Sequence, residues 1–144
     1  MYRALHDSRG IAGVLYLLGW IASLRGDAAL ATSRFEESLA LNRDLGNKVS
    51  LGSSLSALAL ASLRFSDQSA SPRVGARLQE SLALFRQEGY QEGIAESLYF
   101  LGLWHFQQGE VATARALFEE SFALFTAMGR QLYSAVLLCY LAKA

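Results

Sequence analysis

Apolar side chains recur along this chain at intervals of three and four residues, and strand-like alternation is absent. That spacing gathers them on one face of an α-helix. The pattern predicts seven helices, over 11–25, 27–45, 48–65, 72–88, 91–108, 110–128 and 130–143. Pro72 falls just inside the start of the fourth, where a missing N–H costs nothing. Gly46, Gly89 and Gly129 are expected to close the second, fourth and sixth helices as left-handed caps. His6 is expected in a turn before the first helix.

The helices come in related pairs. "RFEESLALNRDLG" at 34–46 returns as "RLQESLALFRQEG" at 77–89 and "LFEESFALFTAMG" at 117–129. Upstream of each copy stands a second motif: "LYLLGWIASLRGD" at 15–27, "LSALALASLRFSD" at 55–67 and "LYFLGLWHFQQGE" at 98–110. Both motifs are offset by 40 and 43 residues, and a further upstream motif starts at "LCYLA". Self-similarity at such a period marks a repeat array of helix pairs, with units at about 11–46, 48–89 and 91–129 and a half-unit at 130–144. Phe35, Leu78 and Phe118 recur as knobs expected to lock each second helix on the first. Gly19, Ala59 and Gly102 are expected to let the two helices approach closely.

The residues resemble the tetratricopeptide repeat. Leu15, Leu18, Gly19, Gly26, Asp27, Ala31 and Phe35 fit its pattern in the first unit, and Leu98, Leu101, Gly102, Gly109, Glu110, Ala114 and Phe118 in the third. The middle unit is degenerate, with Ala59, Ser66, Val74 and Leu78. Leu15, Leu55 and Leu98 replace the family's early tryptophan, and Ser38, Ser81 and Ser121 its later alanine; its closing proline is missing. The period near 40 is similar to that of arrays in bacterial MalT-like and LuxR-type transcriptional activators and related signalling ATPases. The resemblance implies an all-α, right-handed solenoid of about three and a half units, working by binding.

Charge separates the two helix types. Segments 11–24, 51–63 and 131–142 carry no charged residue and 94–108 only Glu96, whereas the second helices carry Arg34, Glu36, Glu37, Arg43, Asp44 and their counterparts. Helices apolar all round belong inside and one-sided ones outside. In the family the first helices line the concave side, which is therefore expected to be apolar and aromatic. The resemblance carries groove positions onto Tyr16, Trp20 and Ser23, onto Ser56, Leu60 and Leu63, onto Tyr99, Leu103 and Phe106, and onto Cys139 and Lys143. Tyr16, Trp20, Tyr99 and Phe106 are the expected anchors for an apolar or aromatic protein or peptide. Clamping of an acidic peptide terminus needs cations, which these positions lack before Lys143, with Arg64 nearby. Trp104 is expected to be packing.

Composition narrows the partners. With 13 basic and 13 acidic residues the net charge is zero, which argues against a nucleic-acid surface. One cysteine, Cys139, permits no internal disulfide and points to a cytoplasmic setting. The uncharged stretch "IAGVLYLLGWIASL" is shorter than the ~20 residues of a membrane span. No secretory signal is visible. The ends read as those of a piece of a longer array, or of a chain whose apolar segment 130–143 self-associates as a homodimer through Val136, Leu138, Cys139 and Tyr140.

Catalytic chemistry is not expected. His6 and His105 have no partner at metal-ligand spacing, so neither a metal nor a cofactor is called for. Glu36-Glu37 and Glu119-Glu120 fall on solvated faces, and His105 reads as structural. Cys139 lacks an activating histidine, and no glycine-rich phosphate loop is present. A small-molecule effector sensor and a self-assembling structural repeat stand as the alternatives to a protein-binding scaffold.

Overall fold

The computed structural model describes the backbone of residues 2–65 and 72–129 and the side chains of residues 7–64 and 72–129. Among the described residues the chain is all-α, with no strand. Six helices follow in order: α1 (Tyr2–Leu24), α2 (Ala28–Leu45), α3 (Lys48–Phe65), α4 (Pro72–Glu88), α5 (Gln91–Gln107) and α6 (Val111–Ala127). The expected helix at 130–143 and most of the turn "SDQSASP" lie outside the described residues.

Glycine sets most of the helix ends. Gly46, Gly89 and Gly129 take φ of +69°, +67° and +74°, and Gly26 and Gly109, at the turns inside the first and third pairs, take +80° and +82°. At Gly26 the chain reverses tightly: the Asp27 N–H donates to the Ala22 carbonyl at 2.9 Å, and the Asp27 carboxylate then accepts from the Leu30 N–H at 3.1 Å, capping α2. The start of α1 corrects the sequence expectation. His6 stands at the repeat position of Gly46 and Gly89, and a residue with a Cβ resists positive φ. Among the described residues no non-glycine takes it. The helix therefore runs through His6 from Tyr2 instead of starting at 11 after a turn.

Each helix packs on the next in sequence, and α3 also touches α5. Phe35, Leu78 and Phe118 are fully buried, as knobs should be. A Cβ placed on Gly19 would lie 2.5 Å from the Phe35 ring, and one on Gly102 2.5 Å from the Phe118 ring. In the middle pair the socket is Ala59 and the knob Leu78. A larger socket residue meets a smaller knob, so the degenerate unit keeps its packed volume.

Buried serines tie the pairs together. The hydroxyl of Ser38 donates to the Ala12 carbonyl at 2.9 Å and lies 3.2 Å from that of Ser54 in the next pair. Ser121 repeats the first bond, donating to the Ala95 carbonyl at 2.7 Å. Ser81 shares hydrogen bonds with Ser56 and, at 2.9 Å, with Ser97. Where an alanine would only fill space, these hydroxyls answer carbonyls and one another out of water. Ion pairs mark the outer side: Arg43 reaches Glu80 at 3.1 Å from α2 to α4, and Arg86 reaches Glu120 at 3.7 Å from α4 to α6.

Candidate functional site: a hollow across three first helices

Positions 13, 16, 17 and 20 of α1 share one helix face by their spacing. Their repeat equivalents are 53, 56, 57 and 60 on α3, then 96, 99, 100 and 103 on α5. A hollow of about 310 Å³ opens along this face. Tyr16 and Trp20 form one wall, their rings 6.0 Å apart and nearly perpendicular. Both lean on the buried Phe35, at 5.9 and 5.4 Å between ring centres, which fixes their orientation. The floor is α3, where Ser53, Ser56 and Ala57 are small enough to leave the space open and Leu60 closes one end. Glu96 and Phe100, one turn apart on α5, form the far wall.

A second hollow of about 170 Å³ adjoins the first through Tyr16 and Ser53. It is polar. Asn42, at the repeat position where α4 and α6 carry the buried Phe85 and Phe125, is shorter, and its amide donates to Ser54 Oγ at 3.2 Å. Arg9, Asn47 and Ser50 also line it, beside Ala12 and Gly13. In the next pair the ring of Phe85 instead presses on Gly93, where an added Cβ would lie 2.5 Å from it.

The expected groove residues that the structure describes divide into three groups. Tyr16, Trp20, Ser56 and Leu60 line the larger hollow together. Tyr99, Leu103 and Phe106 do not line it; they are half-buried and pack around Phe118 and Phe125, with the Tyr99 and Phe118 rings 6.1 Å apart as those of Tyr16 and Phe35 are 5.9 Å apart. Ser23 and Leu63 lie inside. Ser23 accepts from the Arg64 guanidinium at 3.2 Å, and Leu63 joins Val74 and Leu78 in the core. Lys143 and the candidate self-association residues Val136, Leu138, Cys139 and Tyr140 lie outside the described residues.

Sequence reasoning missed Ser53, Ala57, Glu96 and Phe100, and it missed Arg9 and Asn42 in the polar hollow. The signal was present: positions 13 and 17, the equivalents of 53 and 96 and of 57 and 100, share the helix face that already carried 16 and 20.

The remaining candidates have structural partners. Trp104 packs on Gly75 so tightly that a Cβ there would lie 2.6 Å from its ring. His105 is half-buried against Trp104, with Nδ1 3.3 Å from a Glu110 oxygen. Glu37 and Glu119 are exposed and pair with Arg34 and Arg115 on their own helices, at 3.1 and 3.2 Å. Arg77, on α4 and not on a first helix, is lowered from the usual arginine range by partial burial and then by Arg73, with Glu36 opposing. Arginine keeps its charge near neutrality. Among the described residues no cluster of His, Cys, Asp and Glu could hold a metal ion. No described helix is long and apolar enough to cross a membrane. No model of a known protein family matches the chain, and no curated protein matches it.

Proposed function

We propose that this chain is a tetratricopeptide-like, right-handed α-solenoid module that binds a protein or peptide through the concave side of its first helices, without catalysis. It serves as a scaffold within a larger bacterial regulator in the cytoplasm. The observation that carries the reading is the hollow of about 310 Å³ spanning α1, α3 and α5, with an aromatic wall held in place from behind by Phe35. Three helix pairs with repeat-equivalent knobs, serines and ion pairs support the solenoid. A small floor between aromatic walls suits an anchor side chain inserted from a partner, the arrangement in which few residues carry most of the binding.

A second reading, an effector sensor, has one observation in its favour. The hollow holds Trp20 but ends short of Phe106, so it is a local pocket and not a strip along the whole array.

Peptides selected on the immobilised protein from a random display library test the first reading. Selected peptides should lose roughly tenfold or more in affinity on Trp20→Ser, as expected for an anchor contact, with circular dichroism showing that the variant is folded at the assay temperature because Trp20 also packs on Phe35. If no peptide is selected, or if the variant binds them equally well, the reading fails. A metabolite panel read by thermal shift tests the sensor reading.

A further inference from the structure

Among the described residues, six of the nine large apolar side chains that stand exposed lie on α1: Ile11, Val14, Leu17, Leu18, Ile21 and Leu24. Ile11, Val14, Leu18 and Ile21 follow one another at intervals of three, four and three, the seam by which a helix packs along one other helix. Inside the array that seam is covered. Its equivalents on α3, Leu51, Ser54, Leu58 and Ala61, are buried, the last two in the cluster with Ala31 and Phe35 of α2.

The seam of α1 differs from the inner ones in two ways. At its second position α3 and α5 have Ser54 and Ser97, whose hydroxyls meet those of Ser38 and Ser81 of the preceding helix at 3.2 and 2.9 Å. There α1 has Val14, which has no hydroxyl to answer such a serine. The spacing also continues one step beyond each end, to Asp7 and Arg25, both exposed. At those two places α3 has Asn47 and Phe65, and α5 has Tyr90 and Gln108, all uncharged. Arg25 keeps the helical path, since its N–H donates to the Ile21 carbonyl at 3.1 Å. Read backwards, the seam is its own complement: Ile11 falls opposite Ile21, Val14 opposite Leu18, and Asp7 opposite Arg25.

We infer that this face of α1 docks on the same face of a second copy of the chain, antiparallel, about a twofold axis near position 16. Charge selects that occupant. A parallel pairing would set Asp7 on Asp7 and Arg25 on Arg25, and a second helix of the repeat would bring its serine to Val14. Shape agrees: a groove of about 580 Å³ follows the first half of the seam along Asp7, Gly10, Ile11 and Val14, and Gly10 has no side chain to hold the other helix away. Tyr16 and Trp20 are not seam positions, so each copy keeps its larger hollow. One helix pair buries less than the about 800 Å² per partner of a standard stable interface. The dimer is therefore weak, with a dissociation constant of tens of micromolar.

Sedimentation velocity tests it, and should show a monomer at about 2 µM and mainly a dimer at about 500 µM. Asp7→Arg and Arg25→Asp should each weaken the dimer about tenfold, because each sets like charges opposite one another at both ends of the seam. Combined in one chain, the two changes should restore it to within about threefold of the wild type. Leu18→Glu, a charge placed in the apolar seam, should leave a monomer throughout. Leu138→Glu should leave the dimer as it is. Circular dichroism checks that every variant is folded.

A wild type that stays monomeric over the whole range overturns the inference. So do single charge changes without effect, or a double change that does not restore the dimer. A dimer that survives Leu18→Glu but is lost on Leu138→Glu places the association on segment 130–143 instead. Growth into ever longer oligomers with concentration overturns the closed twofold pairing.

Discussion

Helices α1 and α3 hold the same place in their units, yet they meet opposite fates. Leu58 of α3 is 1% exposed and its equivalent Leu18 of α1 is 41% exposed. Ser54 is fully buried in a hydrogen bond to Ser38 of the preceding pair, while its equivalent Val14 stands 56% exposed. Ile11, Leu17 and Ile21 extend the exposed face, where α3 has the buried Leu51, Ala57 and Ala61. The difference comes from what precedes each helix. Residues of α3 pack into the core around Phe35 with Ala22 and Ala31, supplied by the pair before it. The described residues place no helix pair before α1. A first helix is therefore written with two apolar faces, one for its own second helix and one for the preceding unit, and burial of the second depends on the array.

The sharpest way to break this comparison is to truncate the same position twice. Leu58→Ala should cost about 2–5 kcal/mol, as for other buried leucines. Leu18→Ala should cost less than about 1 kcal/mol, because much of that side chain already faces water. Urea unfolding at two protein concentrations checks both. Equal losses that grow with concentration would mean that α1 is covered in solution and that the contrast belongs only to the isolated chain.

Glycines sharpen the contrast because its sign reverses. Gly93 of α5 and Gly10 of α1 are repeat equivalents inside helices, but an added Cβ meets the Phe85 ring at 2.5 Å in one and nothing within 4 Å in the other. Gly93→Ala should destabilise by about 1–3 kcal/mol through overpacking. Gly10→Ala should stabilise by about 0.5–1 kcal/mol, since alanine loses less backbone entropy in a helix. Thermal midpoints moving in the same direction would refute the assignment of the two environments.

These pairs also explain what was legible in the residues. Helices α2 to α6 could be read nearly to the residue because glycine caps and the apolar period mark the same points. The start of α1 could not, because a histidine occupies the cap position and only the backbone shows that the helix passes through it. Tyr16 and Trp20, and Ser56 and Leu60, could be grouped from the residues because each pair stands one turn apart on the same face of its helix. Tyr99 meets Phe118 on α6 much as Tyr16 meets Phe35 on α2, and the helix expected on the far side of Tyr99, Leu103 and Phe106 lies outside the described residues. The serines of the second helices stood out as departures, but their hydrogen bonds depend on carbonyls of another helix, which no pattern in a single segment encodes.

Those serines give a smaller effect. Ser121→Ala leaves the Ala95 carbonyl without its 2.7 Å donor and should cost about 0.5–1.5 kcal/mol, near the net value of one hydrogen bond. Ser121→Val, which also adds volume to a closed site, should cost more. A Ser121→Ala variant as stable as the wild type would reduce the serine to a space-filler.

The smallest effect concerns the outer ion pairs, which repeat as Arg43–Glu80 and Arg86–Glu120. Both are exposed, so each should couple by no more than about 0.2–1 kcal/mol in a double-mutant cycle. The Arg43 guanidinium donates to both Glu80 oxygens, at 3.1 and 3.3 Å, whereas Arg86 approaches Glu120 only at 3.7 Å. Coupling should therefore be larger for the first pair, and both should fade as salt rises. A second pair as strong as the first would show that charge periodicity, more than hydrogen-bond geometry, aligns the second helices. In that case the repeat would be held in register from its outer side as well as by Phe35, Leu78 and Phe118 within.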